Sequence, residues 1–174
     1  MLVGDDLSSA ALAAVTAGST KVDVVAALSW PHVSVEHLSI SIFLFRQLPD
    51  GTYLDSVLLT GLEEAKYVAV VDLDGDGLLD LVTATSDDAS VSWYRQIPPE
   101  LPPSPSSSPP YGNFTFGEKR VIFDGRPEVV VAVTADTDGD GDVDIVATSE
   151  ELSVTYMYLF ENDGEANFLN HFGL

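Results

Sequence analysis

The sequence has no cysteine and few basic residues, and these two features limit the classes of protein to which it can belong. Without cysteine, no disulfide can stabilise the fold. Seven Lys and Arg residues face 28 Asp and Glu residues, which gives a formal net charge of −21. A chain this acidic repels nucleic-acid phosphates and anionic membrane surfaces, and it attracts divalent cations or basic partners. We therefore expect no nucleic-acid partner.

Long hydrophobic runs are also missing from the sequence. No stretch of about 18 apolar residues occurs, so we expect no direct membrane insertion. The first residues include Asp5 and Asp6 where a signal peptide would be apolar, and no signal peptide is visible. Apolar residues still make up 45% of the 174-residue chain. We therefore expect a single packed domain over residues 1–174.

Internal repeats decide the fold class of this chain. Residues 68–85 and 131–149 both consist of an apolar run, a loop of Asp and Gly, and a second apolar run. Residues 14–27 form a weaker third copy with a shorter loop, in which Gly18 replaces the first Asp and only Asp23 is kept. Repetition on this scale predicts a fold assembled from similar units.

Later landmarks repeat in step with these segments. Each unit continues with an aromatic-containing strand-like segment, and then with a turn that carries Gly. Asp72 and Asp136 lie 64 residues apart, and this interval contains a Pro/Ser-rich insert at 97–112, which we interpret as an exposed loop. Without the insert, the period is about 50 residues, within the range for propeller blades.

We therefore predict an all-β fold of about three four-stranded propeller-type blades, forming an open arc or partial β-propeller. The expected blades cover residues 8–61, with a degenerate loop, residues 62–125, with the insert, and residues 126–174. The chain ends near Phe172, so the last blade is expected to be truncated at its outer strand. Three blades would leave two apolar sheet faces open, because closed propellers typically need four to eight blades.

The two Asp-rich loops have the composition of calcium sites. Aspartates occupy positions 1, 3, 5 and 9 of each loop, and a backbone carbonyl at position 7 would add another oxygen. Calcium takes six to eight oxygen ligands in flexible geometry. We predict two calcium sites, with ligands from Asp72, Asp74, Asp76, Leu78, Asp80, Asp136, Asp138, Asp140, Asp142 and Asp144.

A plain acidic turn, an EF-hand, and sites for magnesium or zinc all fit these loops less well. A solvated acidic turn would leave four carboxylates repelling one another within nine residues. An EF-hand needs a Glu at position 12, where this sequence has Thr83 and Ala147, and helical flanks instead of β-branched runs. Magnesium demands stricter octahedral geometry. Zinc is disfavoured because neither loop contains His or Cys.

The D-x-D-x-D-G-x-x-D pattern at 72–80 and 136–144, each followed by two aliphatic residues, resembles the calcium loop of FG-GAP/VCBS repeats in integrin-α-type β-propellers. Residues 92–94 and 159–164 resemble the strand and turn that follow it in such repeats. The resemblance implies four-stranded blades in which the calcium loop joins the first two strands and has a structural role. The first unit departs from the pattern, so we predict no metal there.

No catalytic arrangement is recognisable. The three histidines, His32, His37 and His171, are scattered, and there is no nucleophile or phosphate-binding motif. We therefore expect a non-enzymatic, calcium-binding module that acts as a protein interaction or scaffold subunit of a larger assembly. A protein partner or further blades would complete the arc. The alternatives are a lectin-like, carbohydrate-binding propeller, with a glycan as partner, or a propeller-based polysaccharide-active enzyme.

The residues Asn113-Phe114-Thr115 form an N-glycosylation sequon beside the Pro/Ser-rich insert. Asn113 is therefore a glycosylation candidate. Together with calcium loops, the sequon favours an extracellular or lumenal location.

Overall fold

The computed structural model describes residues 10–15, 23–28, 40–48, 50–62, 65–85, 88–98, 114–124 and 129–172. These residues form strands, turns and bends without helix. Accordingly, no helix in this part of the chain is long and apolar enough to cross a membrane. The prediction of an all-β fold is confirmed for the described residues.

The strands form three four-stranded antiparallel sheets and one small two-stranded sheet within the described part. The first sheet contains β1 (Ala10–Val15), β2 (Asp23–Leu28), β3 (Ile40–Gln47) and β4 (Tyr53–Leu62) in sequence order. The second sheet contains β5 (Ala65–Val71), β6 (Asp80–Thr85), β7 (Ser90–Tyr94) and β10 (Arg120–Phe123). The third sheet contains β11 (Val129–Ala135), β12 (Asp144–Glu151), β13 (Val154–Asn162) and β14 (Phe168–Phe172).

Two short strands separate β7 from β10. Strands β8 (Gln96–Ile97) and β9 (Thr115–Phe116) pair with each other rather than with the second sheet. The segment between them includes most of the Pro/Ser-rich insert, and its residues 99–113 lie outside the described residues. The ends of the insert therefore fall between the third and fourth strands of the second sheet.

The third sheet differs from the expectation of a truncated last blade. Strand β14 pairs with β13 from Asn162↔Phe168 onwards and supplies the fourth strand. The chain reverses at Asp163, whose carboxylate accepts hydrogen bonds from the backbone N–H groups of Glu165 (3.0 Å) and Asn167 (3.1 Å). A short Asx-stabilised turn is thus enough to return the chain along the sheet.

Two hydrophobic cores lie between consecutive sheets. Residues of the first core come from the first and second sheets, namely Val25, Ala27, Ile42, Leu44, Leu62, Ala65, Val68, Leu81 and Tyr94. The second core joins the second and third sheets through Ala69, Leu73, Val82, Ala84, Val91, Trp93, Ala132, Ile145, Ala147, Tyr158, Phe160 and Ala166. Because successive side chains of a strand point to opposite faces, β6 contributes to both cores and is buried along its whole length.

Candidate metal centres in the two Asp loops

Each Asp loop connects the first two strands of its sheet. Val71 pairs with Asp80 across the ends of β5 and β6, and Ala135 pairs with Asp144 across β11 and β12. The sixth position of each loop is glycine, and Gly77 and Gly141 have φ angles of +84° and +100°. Side-chain-bearing residues rarely adopt such angles, so these glycines allow the tight curvature of the loops.

The first loop is organised by hydrogen bonds from its own backbone. Gly77 N donates to Asp72 Oδ2 (2.9 Å), Asp76 N donates to Asp74 Oδ1 (3.3 Å), and Leu78 N donates to Asp76 Oδ1 (2.8 Å). These hydrogen bonds therefore orient each of the three carboxylates even without a bound cation.

The second loop repeats these three hydrogen bonds at the same positions and has one more, from Gly139 N to Asp136 Oδ1 (2.7 Å). Gly141 N donates to Asp136 Oδ2 (3.2 Å), Asp140 N to Asp138 Oδ1 (3.1 Å), and Asp142 N to Asp140 Oδ1 (2.9 Å). The three shared hydrogen bonds indicate one structural unit used twice. This agreement shows that the repeat seen in the sequence extends to side-chain geometry.

The last aspartate of each loop is fully buried and hydrogen-bonded at or just after the end of the third strand of its sheet. Asp80 and Asp144 are 0% and 1% exposed. Their Oδ1 atoms accept hydrogen bonds from Gln96 N (2.7 Å) and Asn162 N (2.9 Å), respectively. Each carboxylate therefore connects its loop to the end of β13 or to the residues that follow β7.

These two buried carboxylates differ in their acid–base properties. Burial raises the pKa of Asp80 above its usual value, and hydrogen bonds from Gln96 and Leu73 only partly oppose this. Burial acts in the same direction on Asp144, but hydrogen bonds from the Asn162 and Thr137 backbones and from the Thr137 hydroxyl (2.5 Å) outweigh it and lower the pKa. The anion is thus better stabilised in the second loop.

Three carboxylates converge in each loop. One oxygen from each of Asp72, Asp74 and Asp80 lies within 4.8 Å of the others, and Asp136, Asp138 and Asp144 form the equivalent group. Asp72 Oδ1 is buried and has no hydrogen-bond partner among the described residues, which is costly unless a cation compensates. Oxygen-only donor sets suit calcium, so either group could hold a metal ion.

The remaining predicted ligands lie at the margin of these groups. Asp76 and Asp140 do not belong to the converging groups, and their Oδ1 atoms accept hydrogen bonds from the backbones of Leu78 and Asp142. Asp142 lies against the turn after β13, where a Cβ on Gly164 would come within 2.7 Å of Asp142 Oδ2. The glycosylation candidate Asn113 and the first-unit residues 16–22 lie outside the described residues.

The charges of neighbouring aspartates contribute to raised pKa values at Asp142 and Asp138. The partial loss of solvent, followed by the negative charges of Asp140 and Asp136, raises the pKa of Asp142. At Asp138 a hydrogen bond from the Asp140 backbone favours the anion, but loss of solvent and the charges of Asp140 and Asp144 outweigh it and raise the pKa. A bound divalent cation would relieve this repulsion.

Asn162 links the two loops, a role that the sequence alone did not reveal. Its side-chain Nδ2 donates to the carbonyl of Leu73 in the first loop (2.8 Å) and to the carbonyl of Val143 in the second loop (3.1 Å). Leu73 itself is buried in the core between the second and third sheets. The position of one loop therefore depends on the other.

We predict that Asn162→Ala will destabilise the protein by about 1–3 kcal/mol, because it leaves buried carbonyl groups without donors. Thermal unfolding in the presence of calcium measures the effect. Thr155→Ala, at an exposed position on the same strand, should change the melting temperature little. Equal melting temperatures for Asn162→Ala and the wild type would show that this bridge contributes nothing.

The comparisons with known proteins agree with this geometry. Residues 72–147 match the model of the FG-GAP-like repeat family, and this segment contains both Asp loops and the strands β6 and β7. No curated protein and no solved structure matches the chain. Residues 72–147 are therefore of the FG-GAP repeat type.

Proposed function

We propose that this protein is a calcium-binding repeat module that serves as a protein interaction or scaffold subunit, and that it has no catalytic activity. The two converging aspartate groups support the calcium part of the proposal. Each group lies where the first two strands of a sheet are joined. A bound ion would therefore hold β5 to β6, or β11 to β12, at their ends. The unfolded chain cannot gather these ligands, so binding would stabilise the fold.

The observation that carries the interaction part is the open face of the third sheet. Val82 and Trp93 pair on the face of the second sheet that the third sheet covers, and Val146 and Leu159 pair at the equivalent place in the third sheet. In the second sheet this face is buried. In the third sheet, the neighbouring Met157 is 45% exposed. Among the described residues, the same apolar pattern is thus covered in the second sheet and uncovered in the third.

A further sheet of the same kind is the occupant that this face fits best. The second sheet shows how such a face is covered, because the third sheet packs on it through aliphatic and aromatic side chains. Contiguous exposed apolar surface commonly marks an interaction site. We infer that a protein partner with a similar sheet, such as a second copy of the chain, binds the third sheet and extends the arc.

Sedimentation velocity over a range of protein concentrations tests this interaction. We expect the wild-type chain to form species heavier than its monomer of 18.6 kDa, and we expect Met157→Asp to reduce them strongly. Leu152→Asp is the matched control, because Leu152 is 93% exposed in the β12–β13 turn, away from the sheet face. A wild-type chain that stays monomeric at every concentration would contradict self-assembly through this face.

The carbohydrate-binding and enzymatic alternatives gain no support from Trp93 and Tyr94. Trp93 and Tyr94 are each 6% exposed and pack in the two inter-sheet cores, where they cannot stack on a sugar. An extracellular or lumenal location remains part of the proposal, since calcium concentrations there suit weak structural sites. A mass decrease after glycosidase treatment would support both that location and glycosylation of Asn113.

A further inference from the structure

Arg95 in the second sheet and Glu161 in the third sheet lie beside the Asp loops. The two residues differ in charge. Leu81 pairs with Tyr94 in the second sheet and Ile145 pairs with Phe160 in the third. Arg95 and Glu161, which follow these partners, therefore occupy equivalent positions. The two loops have similar aspartates, but the neighbouring residue is positively charged beside the first loop and negatively charged beside the second.

Arg95 contacts the aspartates of the first loop directly. Its Nε atom lies 2.5 Å from Asp74 Oδ2, and its Nη2 atom lies 2.9 Å from Asp76 Oδ2. Asp74 is one of the three converging carboxylates of that loop. The guanidinium is always protonated at physiological pH, so it places a permanent positive charge where a calcium ion would need negative ligands.

In the first sheet, an arginine also pairs with the loop, and Asp23 is the one aspartate that this degenerate loop keeps. Val24 pairs with Phe45, so Arg46 holds the position equivalent to Arg95. Arg46 Nε lies 3.4 Å from Asp23 Oδ2, the last aspartate of the degenerate loop. Gln47 N donates to Asp23 Oδ1 (3.0 Å), just as Gln96 N donates to Asp80. An arginine at this position is therefore a counter-ion to loop aspartates in two of the three sheets.

The local charge of the two complete loops differs accordingly. Four aspartates and Arg95 give −3 for the first loop, whereas five aspartates and Glu161 give −6 for the second. Ligand charge strongly influences calcium affinity in oxygen sites. The side chain of Arg95 is 54% exposed, so it is free to turn into solvent when a cation takes its place.

We propose that Arg95 is an internal competitor for calcium at the first loop, so that the second loop fills at a lower calcium concentration than the first. This inference rests on the proposed calcium binding. Without calcium, Arg95 balances Asp74 and Asp76 and keeps the first loop in shape. At higher calcium, the ion displaces the guanidinium. The protein therefore responds to calcium in two steps rather than one.

Titration calorimetry of the full chain with calcium chloride tests the proposal. The wild type should bind two ions with unequal affinities, and Asp138→Ala should remove the tighter site. Arg95→Gln should strengthen the weaker site by about tenfold, since calcium carries two charges and the arginine charge lies a few ångströms away. Arg95→Lys keeps the positive charge and should leave the weaker site weak, which separates charge from shape.

A matched control removes one positive charge far from the loops. Lys119 pairs with Asp88, which lies beyond the end of β6 opposite Asp80, so Lys119→Gln should leave both affinities unchanged. Two equal sites in the wild type, or no change in Arg95→Gln with its fold intact by circular dichroism, would overturn the role of Arg95 and leave calcium binding standing. Absence of any calcium binding would instead refute the proposed function itself.

Discussion

Removal of calcium with EGTA should lower the melting temperature of this protein by about 10–20 °C. Each site that is saturated at 100 times its dissociation constant stabilises the folded state by about 2.7 kcal/mol, and the described part of the chain has two candidate sites. For a chain of this size, about 1 kcal/mol corresponds to 2–4 °C. The physical reason is that the loops gather carboxylates which repel one another without a cation. Differential scanning calorimetry with and without EGTA measures the shift.

Two controls separate calcium from general ionic effects. Magnesium at the same concentration should restore much less stability than calcium, because it demands near-ideal octahedral geometry. Asp138→Ala should abolish the contribution of the second loop, and Asp74→Ala that of the first. A melting temperature that is unaffected by EGTA in the wild type would contradict a structural role of calcium in this fold.

Phe160→Ala should destabilise the protein by about 3–5 kcal/mol, the range for large-to-small changes at buried aromatic positions. Phe160 is 1% exposed and lies between the second and third sheets. Its ring centroid is 5.3 Å from that of Phe123 in the second sheet. The truncation leaves a cavity at the contact that holds the two sheets together. Chemical denaturation in saturating calcium gives the free energy of unfolding directly.

The control for this variant is Val154→Ala on the same strand. Val154 is half exposed, so its truncation should cost little. If Phe160→Ala and Val154→Ala unfold at the same denaturant concentration, the core around Phe160 does not hold the second and third sheets together. A reduced slope of the unfolding transition in Phe160→Ala would show that the sheets have begun to unfold separately.

The repeat and the apolar runs were enough to predict most strands. The segments before and after each Asp loop became β5, β6, β11 and β12, because a buried strand is recognisable as a short β-branched run. Strand β1 is rich in alanine, a composition that also suits a helix, and only its place in the repeat indicates a strand. Strand β14 was not anticipated, because Asn170 and His171 interrupt its apolar pattern. The two-residue strands β8 and β9 are too short to carry any pattern.

The candidate site, like the strands, was predictable from the sequence only in part. The spacing of the aspartates predicted both loops, since ligands within nine residues are set by local backbone geometry. Spacing does not determine which way each carboxylate points, and Asp76 and Asp140 lie outside the converging groups. The roles of Arg95 and Asn162 were also hidden, because their partners are distant in sequence. The register of the sheets brings them together.

Calcium bound at saturation, measured by equilibrium dialysis, tests the central claim most directly. The two converging carboxylate groups predict two calcium ions per wild-type chain, and one ion in each of the variants Asp74→Ala and Asp138→Ala. A wild-type chain that binds no calcium, or variants that bind as much as the wild type, would show that these loops are not the metal sites of the protein.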